Sequence, residues 1–309
     1  MPGRIGPLRD RARTGAVVGL YRLGSRVARA LPESAPDPLS RAAAPLLAAG
    51  LGGRRRMVAR HLRRVHGEVG EAVLRREVRR SFASYARYWL ESFRVPDRTP
   101  EELVAGMTCD GFEHVEAARA AGRGVILALP HLGGWEYGGA WVGALGHPVS
   151  VVVEPLEPPE LFRWFADFRA RLGMEVLPLG PGVSGAVLRA LGENRVVCLL
   201  CDRDLVGDGP EVTFFGERTT LPAGPVTLGL RSGAPVLPTA VYFDGPNRHR
   251  GRVGPPLDLE RRGRLRDDVA AGTQRLATAL EGLITAAPEQ WHLLQPNWPS
   301  DREADRSEG

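Results

Sequence analysis

Five short apolar runs, rich in β-branched residues, dominate the chain after residue 100: "GVILALP" (124–130), "VSVVVEP" (149–155), "MEVLPL" (174–179), "RVVCLLCD" (195–202) and "APVLPTAVYF" (234–243). Between them lie longer segments with helical spacing, such as "PPELFRWFADFRARLG" (158–173) and "VSGAVLRALGEN" (183–194). A strand that reads as a continuous apolar run is buried on both faces. Alternation of such strands with helices predicts an α/β fold with a mostly parallel central sheet flanked by helices. In sheets of this kind, ligands collect beyond the carboxyl ends of the strands.

The first third has a different texture. Residues 14–31 place Val17, Leu20, Tyr21, Gly24, Ala28 and Leu31 on one helical face, with Arg22, Arg26 and Arg29 on another. Residues 53–67, "GRRRMVARHLRRVHG", add six arginines around Met57, Leu62 and Val65, with His61 and His66 read as solvated members of the basic face. Phe82, Tyr85, Trp89 and Phe93 then form a stripe at helical spacing, read as core. The expected organisation is a basic helical, membrane-associating region over 1–99, an α/β core over 100–299 and a disordered, solvated tail over 300–309.

All 41 basic residues are arginine. Residues 1–100 hold 21 of them against 8 acidic residues, a net +13, while the remaining 209 carry −8. Planar guanidinium forks in an amphipathic helix suit either a surface packed on the protein body or one lying on anionic lipid. Nucleic acid is not expected as a partner, because no base-stacking aromatic pattern accompanies the arginines. No run of about 20 apolar residues suggests a membrane span, and the start lacks a compact signal-peptide core. Only Cys109, Cys198 and Cys201 are present, with no disulfide framework, which points to a reducing, cytoplasmic setting. The latter two read as strand core rather than as a redox or zinc pair. No ligand cluster calls for a metal.

The strand exits supply the candidate chemistry. The first gives His131 and Glu136, in "LALPHLGGWEYGG"; the second gives Glu154; the fourth gives Asp202, Arg203 and Asp204. A histidine in a strand-to-helix turn, with a carboxylate to fix its tautomer, is equipped to act as a general base, and free N–H groups at the helix start can hold an oxyanion. Five residues apart, His131 and Glu136 would lie on different faces of a continuous helix. Glu136 reaches back only if the glycines relax the turn, so a plain turn histidine stays open at this point. Phe214 and Phe215 read as core or groove wall, and His292 as a hydrogen-bonded packing residue. His114, His147 and His249 read as surface residues.

The HxxxxE stretch resembles the HxxxxD/E motif of glycerolipid-type acyltransferases. "CDRDLVGDGPEVTFFGERTTLPAGPVTLGLRSGAPVLPTAVY" resembles the acidic, FFG-containing block of the bacterial late acyltransferases of lipid A biosynthesis, and "PEQWHLLQPNWP" resembles their C-terminal tryptophan block. Within that superfamily, "DRDL", "VEPLEPPELF" and "WHLLQPNW" are most similar to the actinobacterial phosphatidylinositol mannoside acyltransferases.

The resemblance implies transfer of a long, palmitoyl-like acyl chain from acyl-CoA to a mannose hydroxyl of a mannosylated phosphoinositide. The expected setting is the cytoplasmic face of the cell membrane, with acyl-CoA as co-substrate, no cofactor and the enzyme held peripherally on anionic lipid. It makes His131 the base and matches Asp202 to the relay carboxylate. Glu136 stays among the catalytic candidates, or becomes a structural partner of Arg169. Glu154, Arg169, Arg203 and Asp204 are expected to bind substrate. The alternatives are another glycolipid or lysophospholipid acceptor, and a lipid-binding protein of the same fold without catalysis.

Overall fold

The structure, a computed structural model, describes residues 7–307. Four helices come first: α1 (Pro7–Ala30), α2 (Pro36–Gly50), α3 (Gly52–His66) and α4 (Glu71–Ser92). There follow α5 (Pro100–Ala105), β1 (Met107–Asp110), α6 (Glu113–Ala120), β2 (Val125–Leu129), α7 (Trp135–Ala144), β3 (Val149–Val153), α8 (Pro159–Arg171), β4 (Met174–Pro178), α9 (Val183–Gly192) and β5 (Val196–Leu200). A hairpin of β6 (Glu211–Phe214) and β7 (Glu217–Thr220), then α10 (Gly224–Ser232), β8 (Val236–Phe243), β9 (His249–Val253), α11 (Leu265–Thr285) and α12 (Pro299–Ser307) complete the chain.

The central sheet has seven strands in the order β1-β9-β8-β2-β5-β3-β4. The five apolar runs are its strands β2, β3, β4, β5 and β8, all mutually parallel. The edge adds what the runs did not signal: β9 lies antiparallel to β8, and β1 parallel to β9. Both are short and only alternately buried, so they lack the continuous apolar signature. All five residues of β2 are buried because side chains alternate between two cores. Ile126 and Ala128 join Val187 and Leu191 of α9 and Leu276 and Leu280 of α11. Leu127 and Leu129 join Tyr137 and Trp141 of α7 on the other face.

α5 begins on a reciprocal capping box. The Thr99 hydroxyl accepts from the Glu102 N–H at 3.3 Å, and the Glu102 carboxylate accepts from the Thr99 N–H at 3.0 Å. The aromatic stripe of α4 packs as expected. Phe82 is 1% exposed, and Trp89 and Phe93 receive Tyr21 of α1 at ring-centroid distances of 5.7 and 6.4 Å.

α1 differs from the single apolar face read from its spacing. Val18, Tyr21, Ser25 and Ala28 face the protein, whereas Leu20, Leu23 and Val27 are 68%, 58% and 53% exposed, beside the exposed Arg22 and Arg26. The helix therefore carries two apolar stripes; the face read from spacing included Leu20 of the outward one and left out Leu23 and Val27. The side chain of Val17 lies outside the described residues.

Two histidines and the tail also differ from their sequence readings. His61, read as solvated, is 2% exposed: its Nδ1 is 2.9 Å from the Leu293 carbonyl and its Nε2 3.1 Å from Asp301. His249, read as surface, is 3% exposed and 2.9 Å from the Glu91 carboxylate. Of the tail read as disordered, residues 300–307 belong to α12, anchored by the wholly buried Asp301, and residues 308–309 lie outside the described residues. That carboxylate accepts from the Asn297 and Trp298 N–H groups at 3.1 and 3.2 Å and pairs with Arg64 at 2.9 Å. Composition missed this because the anchoring contacts come from two residues, Asp301 and Ser300, within an otherwise polar segment. Among the described residues, no helix is long and apolar enough to cross a membrane.

Candidate active site

Register places the two central groups. Leu129 of β2 pairs with Leu200 of β5, so two residues further on His131 and Asp202 leave the sheet side by side. His131 Nδ1 is 2.6 Å from Asp202 Oδ1, while the His131 backbone N–H donates to Oδ2 at 3.0 Å. Asp202 is wholly buried; the His131 side chain is 30% exposed. Burial alone would raise the Asp202 pKa, but the charge and hydrogen bonds of His131 and the bond from Trp291 outweigh it and hold the carboxyl below its ordinary value. An ionised carboxylate only accepts, so whenever the imidazole is neutral its proton sits on Nδ1 and Nε2 presents its lone pair.

The turn after β2 is built for close approach. Gly133 has φ +59°, and a Cβ there would stand 2.1 Å from the Val241 carbonyl oxygen. Its N–H donates to the Gln290 carbonyl at 2.9 Å, and the His292 N–H donates to the His131 carbonyl at 2.7 Å. Leu132 and Trp291 form an isolated antiparallel bridge. The C-terminal tryptophan block thus lies as an extra strand along the histidine turn.

Glu136, in the first turn of α7, does not reach His131. It is buried and paired with Arg169 of α8, whose Nε donates at 3.2 Å and whose Nη2 donates to the other oxygen. Burial alone would lower the Arg169 pKa, but the Glu136 charge raises it. The Tyr88 hydroxyl is 3.5 Å from the same carboxylate; burial first, and that charge second, push the phenol well up. Trp135 stacks on Tyr88 at 4.0 Å and meets the His131 ring edge-on at 5.6 Å.

A cavity of about 490 Å³ opens at His131. Glu136, Glu154, Arg169, Arg203 and Asp204 all contribute to its lining, whereas Asp202 stands behind His131 and does not. Its walls are otherwise mostly apolar, with Leu127, Leu129, Val151, Cys198, Trp141 and Met174 lying between the sheet and α7. Glu154 and Arg203 are 3.6 Å apart at a half-exposed edge. Asp204 accepts from the N–H groups of Val206, Gly207 and Gly209 at 3.2, 2.9 and 2.9 Å, which ties its own loop. Cys198 lines the cavity, whereas Cys201 is buried in the core on the other face of the sheet; burial pushes the Cys198 thiol up to about 12.

His292 is buried, with Nε2 2.8 Å from the Ser84 hydroxyl. Burial, and then the charge of His131, push its pKa down to about 3. An unfolded histidine protonates near 6.5, so between about 6.5 and 3 the unfolded chain binds the extra proton and stability falls as pH falls. Thermal melts across that range are expected to show a falling midpoint, with a shallower slope in His292→Gln. An unchanged slope in the variant would contradict the assignment.

Sequence reasoning missed Trp291 and Asn297. The Trp291 Nε1–H donates to Asp202 Oδ2 at 2.7 Å, and the Asn297 amide donates to the Asp202 carbonyl at 3.0 Å. The tryptophan block was visible in the sequence, but nothing in its spacing said that its partner lay 89 residues upstream.

Residues 11–300 match the family model described as "Bacterial lipid A biosynthesis acyltransferase". A phosphatidylinositol mannoside acyltransferase of Mycolicibacterium smegmatis is 39% identical over 289 residues, 93% of this chain and 92% of that protein. One of Mycobacterium tuberculosis (strain ATCC 25618 / H37Rv) is 39% identical over 294 residues, covering 93% and 90%. A lipid A biosynthesis acyltransferase of Haemophilus influenzae is 25% identical over 215 residues, 68% of this chain and 64% of that protein. With the matching model spanning nearly the whole chain, and with an imidazole and carboxylate poised over an apolar cavity, the protein belongs to the bacterial lipid A biosynthesis acyltransferase family.

Proposed function

We propose that the protein transfers a long-chain, palmitoyl-like acyl group from acyl-CoA to a mannose hydroxyl of a phosphatidylinositol mannoside, at the cytoplasmic face of the cell membrane. The observation that carries this reading is the His131–Asp202 pair at the mouth of an apolar cavity. The acceptor class rests on the 39% identity to phosphatidylinositol mannoside acyltransferases.

In this mechanism His131 Nε2 takes the proton of the sugar hydroxyl as its oxygen attacks the thioester carbonyl. The carbon–sulfur bond then breaks, and the imidazolium returns its proton to the departing CoA thiolate. Asp202 holds the tautomer and offsets the charge on the imidazolium. The first-turn N–H groups of α7, which have no intrahelical acceptors, are the donors assigned to the tetrahedral oxyanion. The cavity, within the usual size range of small-molecule sites, takes the chain. Glu154, Arg203, Asp204 and Arg169 border the space left for acceptor and donor head groups. No cofactor is required, because a thioester already stores the energy of transfer.

Membrane docking is assigned to the outward stripe of α1, where Leu20, Leu23 and Val27 stand beside Arg22 and Arg26. In liposome flotation, binding to anionic vesicles is expected to weaken as salt screens the arginines. Leu20→Asp/Leu23→Asp is expected to lose binding while keeping its melting temperature, since both sites are exposed. Binding indifferent to lipid charge and to these changes would overturn this part. A mass-spectrometric panel of mannolipid, other glycolipid and lysophospholipid acceptors tests the substrate; acylation of either of the latter in preference would replace the acceptor proposed.

A further inference from the structure

We propose that Trp291 is a positioning residue for the acyl-transfer base, acting through Asp202 by means of its indole N–H. The proposal rests on the reading of His131 as the base.

A carboxylate can turn about its Cβ–Cγ bond, and two donors on one oxygen stop it. Asp202 Oδ2 receives both the His131 backbone N–H at 3.0 Å and the Trp291 Nε1–H at 2.7 Å, which leaves Oδ1 aimed at His131 Nδ1. The indole is itself fixed. It is 3% exposed and sits among the rings of His61, Phe215 and Trp298, with centroids 5.4, 5.8 and 6.3 Å away. Its own segment grips the turn that carries the imidazole, through Gln290 accepting from Gly133 and His292 donating to His131. One strand-like segment therefore sets the backbone of the base and the plane of its partner together. Phenylalanine would keep an aromatic ring in this packing; the N–H to Asp202 is the one contact it could not supply.

Trp291→Phe keeps an aromatic ring and removes the donor. A hydrogen bond to a charged group carries about 1.5–3 kcal/mol, so kcat is expected to fall about tenfold to a hundredfold, with KM for palmitoyl-CoA unchanged. The acid limb of kcat/KM is expected to move to higher pH. A carboxylate with one donor fewer is more basic and also strengthens its hold on the imidazolium, so a higher pH is needed to restore the active pair. A packing defect alone would reduce the amount of folded enzyme without moving that limb. Should the variant fold poorly, the wild-type protein supplies a second measurement. Among the indole N–H signals of its six tryptophans in a ¹⁵N spectrum, one is expected far downfield and displaced in Asp202→Asn. Wild-type kcat and pH profile in Trp291→Phe, or no displaced indole signal, would overturn the proposal. If Asp202→Asn is inactive while Trp291→Phe is normal, this proposal alone fails; if Asp202→Asn keeps full activity, the reading of the base fails with it.

Discussion

Asp202→Asn is expected to lower acyl transfer by about 10²–10⁴-fold while leaving the fold intact, the scale of a base held in the wrong tautomer. The reason lies in the donors around the carboxylate. The Oδ2 position receives two N–H groups, so an asparagine places its carbonyl oxygen there. Its NH₂ then faces His131 Nδ1, which must become the acceptor. The imidazole proton moves to Nε2, the atom assigned to take the hydroxyl proton, and the base is blocked. His131→Ala is expected to lose about 10²-fold or more by removing the base outright. Free CoA released from palmitoyl-CoA in the presence of mannolipid measures both, and equal rates in either variant and the wild type would contradict the assignment.

The second large effect is on stability. Glu136→Ala leaves the Arg169 guanidinium, whose side chain is 14% exposed, without its carboxylate. Removing one partner of a buried ion pair costs about 3–5 kcal/mol, because an uncompensated charge stays behind. A melting temperature lower by on the order of 10 °C is expected, with part of the loss recovered in Glu136→Ala/Arg169→Leu. Activity per folded molecule separates this role from that of Asp202. A brace lowers the folded fraction and disturbs the pocket edge, whereas a relay residue would abolish turnover with no change in melting. An unaltered melting curve with abolished turnover would return Glu136 to the catalytic group.

The core strands were legible because burial selects apolar residues: β2 and β8 are buried throughout, and β3, β4 and β5 stay mostly apolar although Ser150 and Glu175 interrupt the first two of these. β1 and β9 were not, since short strands with exposed polar residues at alternate positions resemble loops in sequence. The strand-exit rule brought His131, Glu154, Asp202, Arg203 and Asp204 to one end of the sheet. It could not say which carboxylate touches the imidazole, because that depends on the in-register pairing of β2 with β5. Spacing favoured Glu136 as the neighbour of His131, while the pairing favours a residue 71 positions away. His61 and His249 were misread for a related reason. A histidine's burial is decided by what packs on it from far along the chain, here Asp301 and Glu91.

On the proposed reading, His131, oriented by Asp202, moves an acyl chain from a thioester onto a mannolipid hydroxyl. The most direct test incubates the protein with palmitoyl-CoA and phosphatidylinositol mannoside and weighs the lipid product by mass spectrometry, for wild type and His131→Ala. The expected result is a mannolipid heavier by one palmitoyl group from the wild type and only a trace from the variant. A wild type that leaves the mannolipid unchanged, or a variant that acylates it at the same rate, would contradict the claim.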